Sequence, residues 1–296
     1  MHGPHRPEAI VRGTATGVPG LPTVMPKTLK SSRKQRPSFE VLCEVVYRPL
    51  AQIVVWVLLP LRVPPPAVAL TSTATGFLGA YELWHGNLLT AALILQVKTV
   101  LDNADGQLAR ASGRVTVLGR YLDSESDLIV NAAIFAAIGH TTGRPVLAAC
   151  AFVVLTVVLS VDFNCERLYR IECGERPDAS PAPGTGPERA LAFIYRVAYA
   201  PQDRIVERLV ERRLARIGAS AGARRAFHDR ATLQVLVNYG LSTELAVLGI
   251  CLAAGSPETY LWIVLALGCT LLPLQARRER RARTYHETAH SGHGER

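Results

Sequence analysis

Residues 101–131 read LDNADGQLARASGRVTVLGRYLDSESDLIVN. Asp102 and Asp105 stand three apart, and Asp123 and Asp127 stand four apart. On helices each pair projects from one face. Apolar sequence leads into the first pair and away from the second. This predicts one helix ending in carboxylates and a second beginning with them. The link over 111–118 is short and contains Gly113, so the two helices are expected to be antiparallel neighbours. Four carboxylates then converge at one end of the pair.

Such a cluster repels itself and, in a poorly hydrated site, needs cations or protons. Hard oxygen ligands suit Mg²⁺ or Mn²⁺ and do not suit zinc or copper. Two such ions can hold a pyrophosphate and stabilise charge at an attacked phosphorus. Gly106, Ala109 and Gly119 keep the helix surfaces low beside the acids. Arg110 offers a guanidinium suited to a phosphate oxygen. A lone Asp at a helix end is ordinarily a cap or a solvated group. That reading does not account for four of them with matched glycines and an arginine.

The flanking sequence is membrane-like. Of 296 residues, 49% are hydrophobic. Six apolar segments, 67–84, 88–108, 119–139, 145–162, 233–254 and 259–275, are each near the roughly 20 residues that cross a bilayer core. The fold class expected is an all-α integral membrane protein with six transmembrane helices. A further apolar stretch at 38–61 carries Glu40, Glu44, Arg48 and Pro49, too polar for a span. It reads as an amphipathic juxtamembrane helix on the membrane surface.

The net charge of +9 lies in the segments between apolar runs, which points to topology and not to nucleic-acid binding. Thirteen arginines fall within 165–231, and the links proposed to face outward hold one basic residue, Arg144. Both termini and the acidic end are therefore expected on the cytoplasmic side of the cell (inner) membrane. Residues 1–37 read as a disordered basic arm, 38–275 as the membrane domain with a cytoplasmic insertion at 167–231, and 276–296 as a basic cytoplasmic tail. Within the insertion, 204–217 reads as an amphipathic helix, either on anionic headgroups or in a small helical hairpin. The six cysteines show no metal-ligand spacing and read as small apolar residues in a reducing compartment.

The pattern Asp102, Asp105, Gly106, Ala109, Arg110, Gly119, Asp123, Asp127 resembles the signature of the CDP-alcohol phosphotransferases at all eight fixed positions. The resemblance extends over about 38–275. It implies that Asp102, Asp105 and Asp123 hold one metal ion, and that Asp102, Asp123 and Asp127 hold the other. It makes Asp127 the general base that deprotonates an alcohol acceptor. It places Gly106, Arg110, Gly119 and Thr116 at the CDP moiety. Family members commonly open their first span with Pro-Asn and a Thr soon after. Here the segment is Pro64-Pro65-Pro66-Ala67-Val68-Ala69-Leu70-Thr71, without the Asn, and Thr71 is the counterpart. The resemblance further implies a CDP-linked lipid donor, such as CDP-diacylglycerol, release of CMP, a role in phospholipid biosynthesis, and a homodimer.

Lys98 lies one turn before Asp102, placed to pair with it, to touch a substrate phosphate, or to reach the headgroups. Asp162, Glu166, Arg167 and Arg170 read either as an acceptor pocket or as a solvated charged collar. Two other classes compete. An intramembrane prenyltransferase also binds diphosphate through Mg²⁺ but lacks the Gly-x2-Ala-Arg element. A transporter or scaffold leaves the acid pattern unexplained.

Overall fold

The computed structural model of the chain describes residues 37–175 and 200–291, with isolated positions between them. The basic arm lies outside the described residues, apart from Pro37. Every regular element among the described residues is helical. A π-helical turn, Cys43–Tyr47, leads into α1 (Arg48–Leu58). Then come α2 (Pro65–Trp84), α3 (Leu88–Ser112), α4 (Val117–Thr142) and α5 (Pro145–Glu172). After the insertion follow α6 (Ala200–Ile217), α7 (Ala221–Phe227), α8 (Arg230–Leu236), α9 (Leu241–Ala253) and α10 (Pro257–Ser291). Proline in the first turn opens α2 and α5, where its missing N–H costs nothing. Left-handed glycines, Gly113 and Gly143, close α3 and α4.

Among the described residues, two helices are long and apolar enough to cross a membrane, Pro145–Glu172 and Pro257–Thr288. A third crossing exists if Ala221–Tyr239 and Leu241–Ala253, bent by 43° at their junction, form one broken span. In that pair the charged run Arg224–Arg230 keeps the residues before Ala231 out of any bilayer core. The other helices are diluted by polar residues: Thr71 to Thr75 in α2, Lys98 to Arg110 in α3, and Asp123 to Asp127 in α4. The groups that look functional are thus what lowers the apolar character of their own helices.

The apolar core lies at the end of the bundle away from the acids. It joins Leu83, Leu95, Ile134, Ile138, Leu155, Leu248 and Tyr260, one or more from each of α2, α3, α4, α5, α9 and α10. The segment at 41–58 lies along α3, with Ala51 and Val55 packed on Ala104, Leu108 and Ala111. Its opposite side exposes Val45, Leu50, Ile53, Trp56 and Val57.

One sequence expectation changes here. The apolar segment at 233–254 is not one helix: a 3-10 turn (Val237–Tyr239) and the extended Gly240 interrupt it. Side chains just before the break cap the start of the first described helix. Phe39 N donates to Gln234 Oε1 and Val41 N to Asn238 Oδ1, each at 3.0 Å. The polar tail is largely helical, because α10 runs on to Ser291 through a run of arginines that favour helix. Helix α6 packs on its neighbours. Val210 and Leu214 bury against Phe227 and Ala282, while Ile205 and Leu209 stay exposed. Arg167–Glu207, Arg213–Glu279 and Arg224–Glu211 tie the charged side of α6 to its neighbours. This is the small helical assembly weighed above, built on α7 and the end of α10.

Candidate active site

The acids sit on α3 and α4, but these helices are not the packed neighbours that the short link suggested. Each packs closely on α2 and makes little backbone-level contact with the other. Helix α2 can lie against both because its inward stripe is small: Ala69, Ser72, Gly76, Gly79 and Ala80 are buried. A Cβ on Gly76 would stand 2.5 Å from Val130 Cγ1 and 3.4 Å from Lys98 Cγ. The gap between α3 and α4 holds the carboxylates.

Asp102, Asp123 and Asp127 each offer a carboxylate oxygen, and the three oxygens lie within 4.8 Å of one another. Oxygens around one Mg²⁺ stand at most about 4.2 Å apart. Oxygens in adjacent positions stand about 3 Å apart, so the group has to draw together by up to about 2 Å to surround an ion. Lys98 already occupies one side of it. Its ammonium donates to Asp102 Oδ1 at 3.1 Å and to Asp127 Oδ1 at 2.5 Å, with the side chain 2% exposed. A cation is thus held by two of these carboxylates, and the donors are all hard oxygens, so the residues fit a divalent metal. Asp105 is buried one turn along α3 and is not part of the three-oxygen group.

Ser72 was not singled out from sequence. Its hydroxyl lies 3.2 Å from Lys98 O and 3.4 Å from Asp102 Oδ1. Its neighbour Thr71 is exposed and donates back to Ala67 O. The signal available in the sequence was the stripe of small residues at helical spacing. It places position 72, and not 71, on the side facing α3.

Gly106 lies under Arg110: a Cβ at Gly106 would be 3.3 Å from Arg110 Nη1. Thr116 caps α4, its Oγ1 accepting from Gly119 N at 3.0 Å. Gly113 N and Arg114 N close α3 on Arg110 O and Ala109 O. The whole turn between the helices is therefore held by local hydrogen bonds. At the C-terminal end of α5, Arg170 pairs with Glu166 and Glu175, and Arg167 pairs with Glu207. Those arginines are engaged with acids, as in the charged-collar reading.

Comparison with known proteins adds an independent finding. Residues 51–198 match the family model for CDP-alcohol phosphatidyltransferase. The chain is similar to an archaetidylinositol phosphate synthase of Pyrococcus horikoshii, 36% identical over 74 residues that cover 25% of this chain and 39% of that protein. It is similar to a bifunctional IPC transferase and DIPP synthase of Thermococcus kodakarensis, 31% identical over 121 residues covering 38% of this chain and 28% of that protein. A protein of the same description from Rubrobacter xylanophilus is 28% identical over 137 residues, covering 46% of this chain and 31% of that protein. The chain spans well under half the length of each of these relatives.

Proposed function

The chain belongs to the CDP-alcohol phosphatidyltransferase family, and on that premise we propose that it transfers a phosphatidyl group from a CDP-linked lipid to an alcohol, releasing CMP. The observation that carries this is the meeting of Asp102, Asp123 and Asp127 from two helices around a shared space, with a cation already bridging two of them. The donor we propose is CDP-diacylglycerol, and the setting is phospholipid biosynthesis in the cell membrane. The acceptor class is a polyol, with inositol phosphate first because one relative is named for an archaetidylinositol phosphate product.

Asp102, Asp105 and Asp123 are assigned to one Mg²⁺ or Mn²⁺, and Asp102, Asp123 and Asp127 to a second. When bound, the ions supply charge neutralisation at the diphosphate and the leaving oxygen. Lys98 takes Asp127 Oδ1, so Oδ2 is the oxygen assigned to receive the acceptor proton. The acceptor oxygen then forms a bond to the β-phosphorus while the bond from that phosphorus to the CMP oxygen breaks. Asp127 keeps the proton, and CMP leaves as a phosphate monoester. Arg110 over Gly106 orients the departing phosphate, and Thr116, Gly119 and Thr71 are assigned to the nucleotide. Positioning by these residues supplies much of the rate.

The topology we propose has six spans with the acidic end and both termini in the cytoplasm, following the distribution of arginine. The segment at 41–58 lies on the membrane surface, its exposed Val45, Leu50, Ile53 and Trp56 facing lipid. A homodimer is proposed as the working assembly. The test is CMP release from CDP-diacylglycerol by purified protein with Mg²⁺ or Mn²⁺ across an acceptor panel. Asp127→Asn is expected to lower kcat by about 10²–10⁴-fold. Full activity in Asp127→Asn, or no CMP release with any acceptor, refutes the reading.

A further inference from the structure

The chain has four lysines, Lys27, Lys30, Lys34 and Lys98, and every basic residue after Lys34 except Lys98 is arginine. The exception is the one buried in the acid cluster. Arginine presents a wide planar fork, whereas lysine presents a compact point charge with three donors. The site uses that compactness. The Lys98 stem passes Gly76, where a Cβ would press on it, and its ammonium reaches carboxylates on two different helices. As an i,i+4 pair, Lys98 and Asp102 have the basic residue first, the weaker orientation on a helix surface. This pair is not on a surface: Lys98 is 2% exposed. A buried ammonium persists only if fixed acceptors compensate its lost hydration. Asp102 and Asp127 are those acceptors, and Ser72 braces both Lys98 O and Asp102.

We propose that Lys98 is a resident cation and positioning residue. It holds Asp102 and Asp127 at ligand spacing before any divalent ion arrives, and it weakens the grip of the cluster on that ion. This rests on the reading that the cluster takes a divalent metal. Two consequences separate it from a packing role. Removing the charge leaves four neighbouring carboxylates without their internal counter-ion, so the metal-free protein loses stability and becomes dependent on divalent ion. The same removal deepens the negative potential at the metal position, so the ion binds more tightly while Asp127 loses its fixed orientation. A packing defect loosens the metal instead.

The experiment compares wild type with Lys98→Met, which keeps the unbranched stem beside Gly76. Free Mn²⁺ is titrated by electron paramagnetic resonance without substrate, and melting is followed with and without Mn²⁺. Lys98→Met is expected to bind Mn²⁺ at least about tenfold more tightly. It is expected to melt lower than wild type without metal and close to it with Mn²⁺. At saturating Mn²⁺, kcat for CMP release falls about 100-fold while donor KM stays within about twofold. Unchanged or weaker Mn²⁺ binding overturns the inference. If Lys98→Met cannot be purified with or without Mn²⁺, Lys98→Gln decides, because it keeps an unbranched stem and a compact donor while removing the charge. Tighter Mn²⁺ binding than wild type supports the inference, and unchanged or weaker binding overturns it. The Mn²⁺ and melting measurements need no substrate. A wild type that binds Mn²⁺ but releases no CMP defeats the proposed activity alone.

Discussion

Arg278 and His228 make a pH-dependent contact where the small helical assembly meets α10. Arg278 is 3% exposed and has no ion pair among the described residues. Its Nε donates to Phe227 O at 3.0 Å, and its Nη1 donates to Cys165 Sγ at 3.3 Å and to Gln275 Oε1 at 3.2 Å. Its Nη2 lies 3.3 Å from His228 Nδ1, and its Cζ lies 4.2 Å from the centre of the Phe227 ring. A guanidinium has no acceptor, so the contact exists only while His228 is neutral with its proton on Nε2. Burial first, then Arg278 and Arg224, lower the His228 pKa from 6.5 to about 3. The folded pKa is depressed, so the unfolded chain takes up the proton first as pH falls. Stability from this residue is complete above pH 6.5 and is lost progressively as pH falls towards 3. At pH 5 the loss spans about 1.5 pKa units, or about 2 kcal/mol. For a chain of this size that is about 4–8 °C in melting temperature. The comparison is detergent-solubilised wild type and His228→Asn at pH 7.5 and pH 5.0. Asparagine offers Arg278 an acceptor oxygen and cannot titrate. Asp229, 3.4 Å from both Arg277 and Arg281, is present in both proteins, so its ion pairs are common to the comparison. Wild type is expected to lose about 4–8 °C more than the variant. An equal loss in the two proteins refutes the reasoning.

Two further changes probe how the site is supported. In Gly249→Ala the new Cβ stands 2.4 Å from Gln96 Nε2, which otherwise donates to Leu245 O at 3.0 Å. Displacing Gln96 also disturbs the bond from Tyr47 OH to its Oε1, so thermal unfolding should show a loss of about 1–3 kcal/mol, partly recovered by adding Gln96→Ala. Thr116→Ala removes the cap on Gly119 N and should cost about 1 kcal/mol. If Thr116 also meets the nucleotide, donor KM rises more than kcat falls in steady-state assays, and Thr116→Ser restores both.

The acid motif was legible because helical spacing alone puts Asp102 near Asp105 and Asp123 near Asp127, whatever surrounds them. The helices themselves were legible for the same reason: their apolar runs are bounded by Pro65, Gly113, Gly143 and Pro145. What stayed hidden was anything set by the rotation of one helix against another. The three prolines at the start of α2 left its register open, so Thr71 stood out and Ser72, which faces Asp102, did not. Lys98 could be paired with Asp102 from sequence, but its bond to Asp127 spans two helices and depends on where α2 holds them. The break at Gly240 was masked by an apolar run on both sides. Its partners are remote: Gln234 and Asn238, just before the break, accept from a segment almost two hundred residues earlier.

The separation of α3 from α4 ties these points together. A short link ordinarily makes two helices pack, and here the acids at their facing ends oppose close contact. Helix α2, narrowed by Ser72 and Gly76, takes up the packing that the pair lacks, so the helices can stand apart without leaving a void in the apolar core. The space is then bridged by side chains, not backbone, and the bridging group is the only lysine among the described residues. A wider residue at Gly76 would push on Val130 and Lys98 together. The distance between the helices and the position of the ammonium are therefore set by the same glycine. In this fold the geometry of the carboxylate cluster depends as much on α2, which contributes no carboxylate to it, as on the two helices that supply the acids.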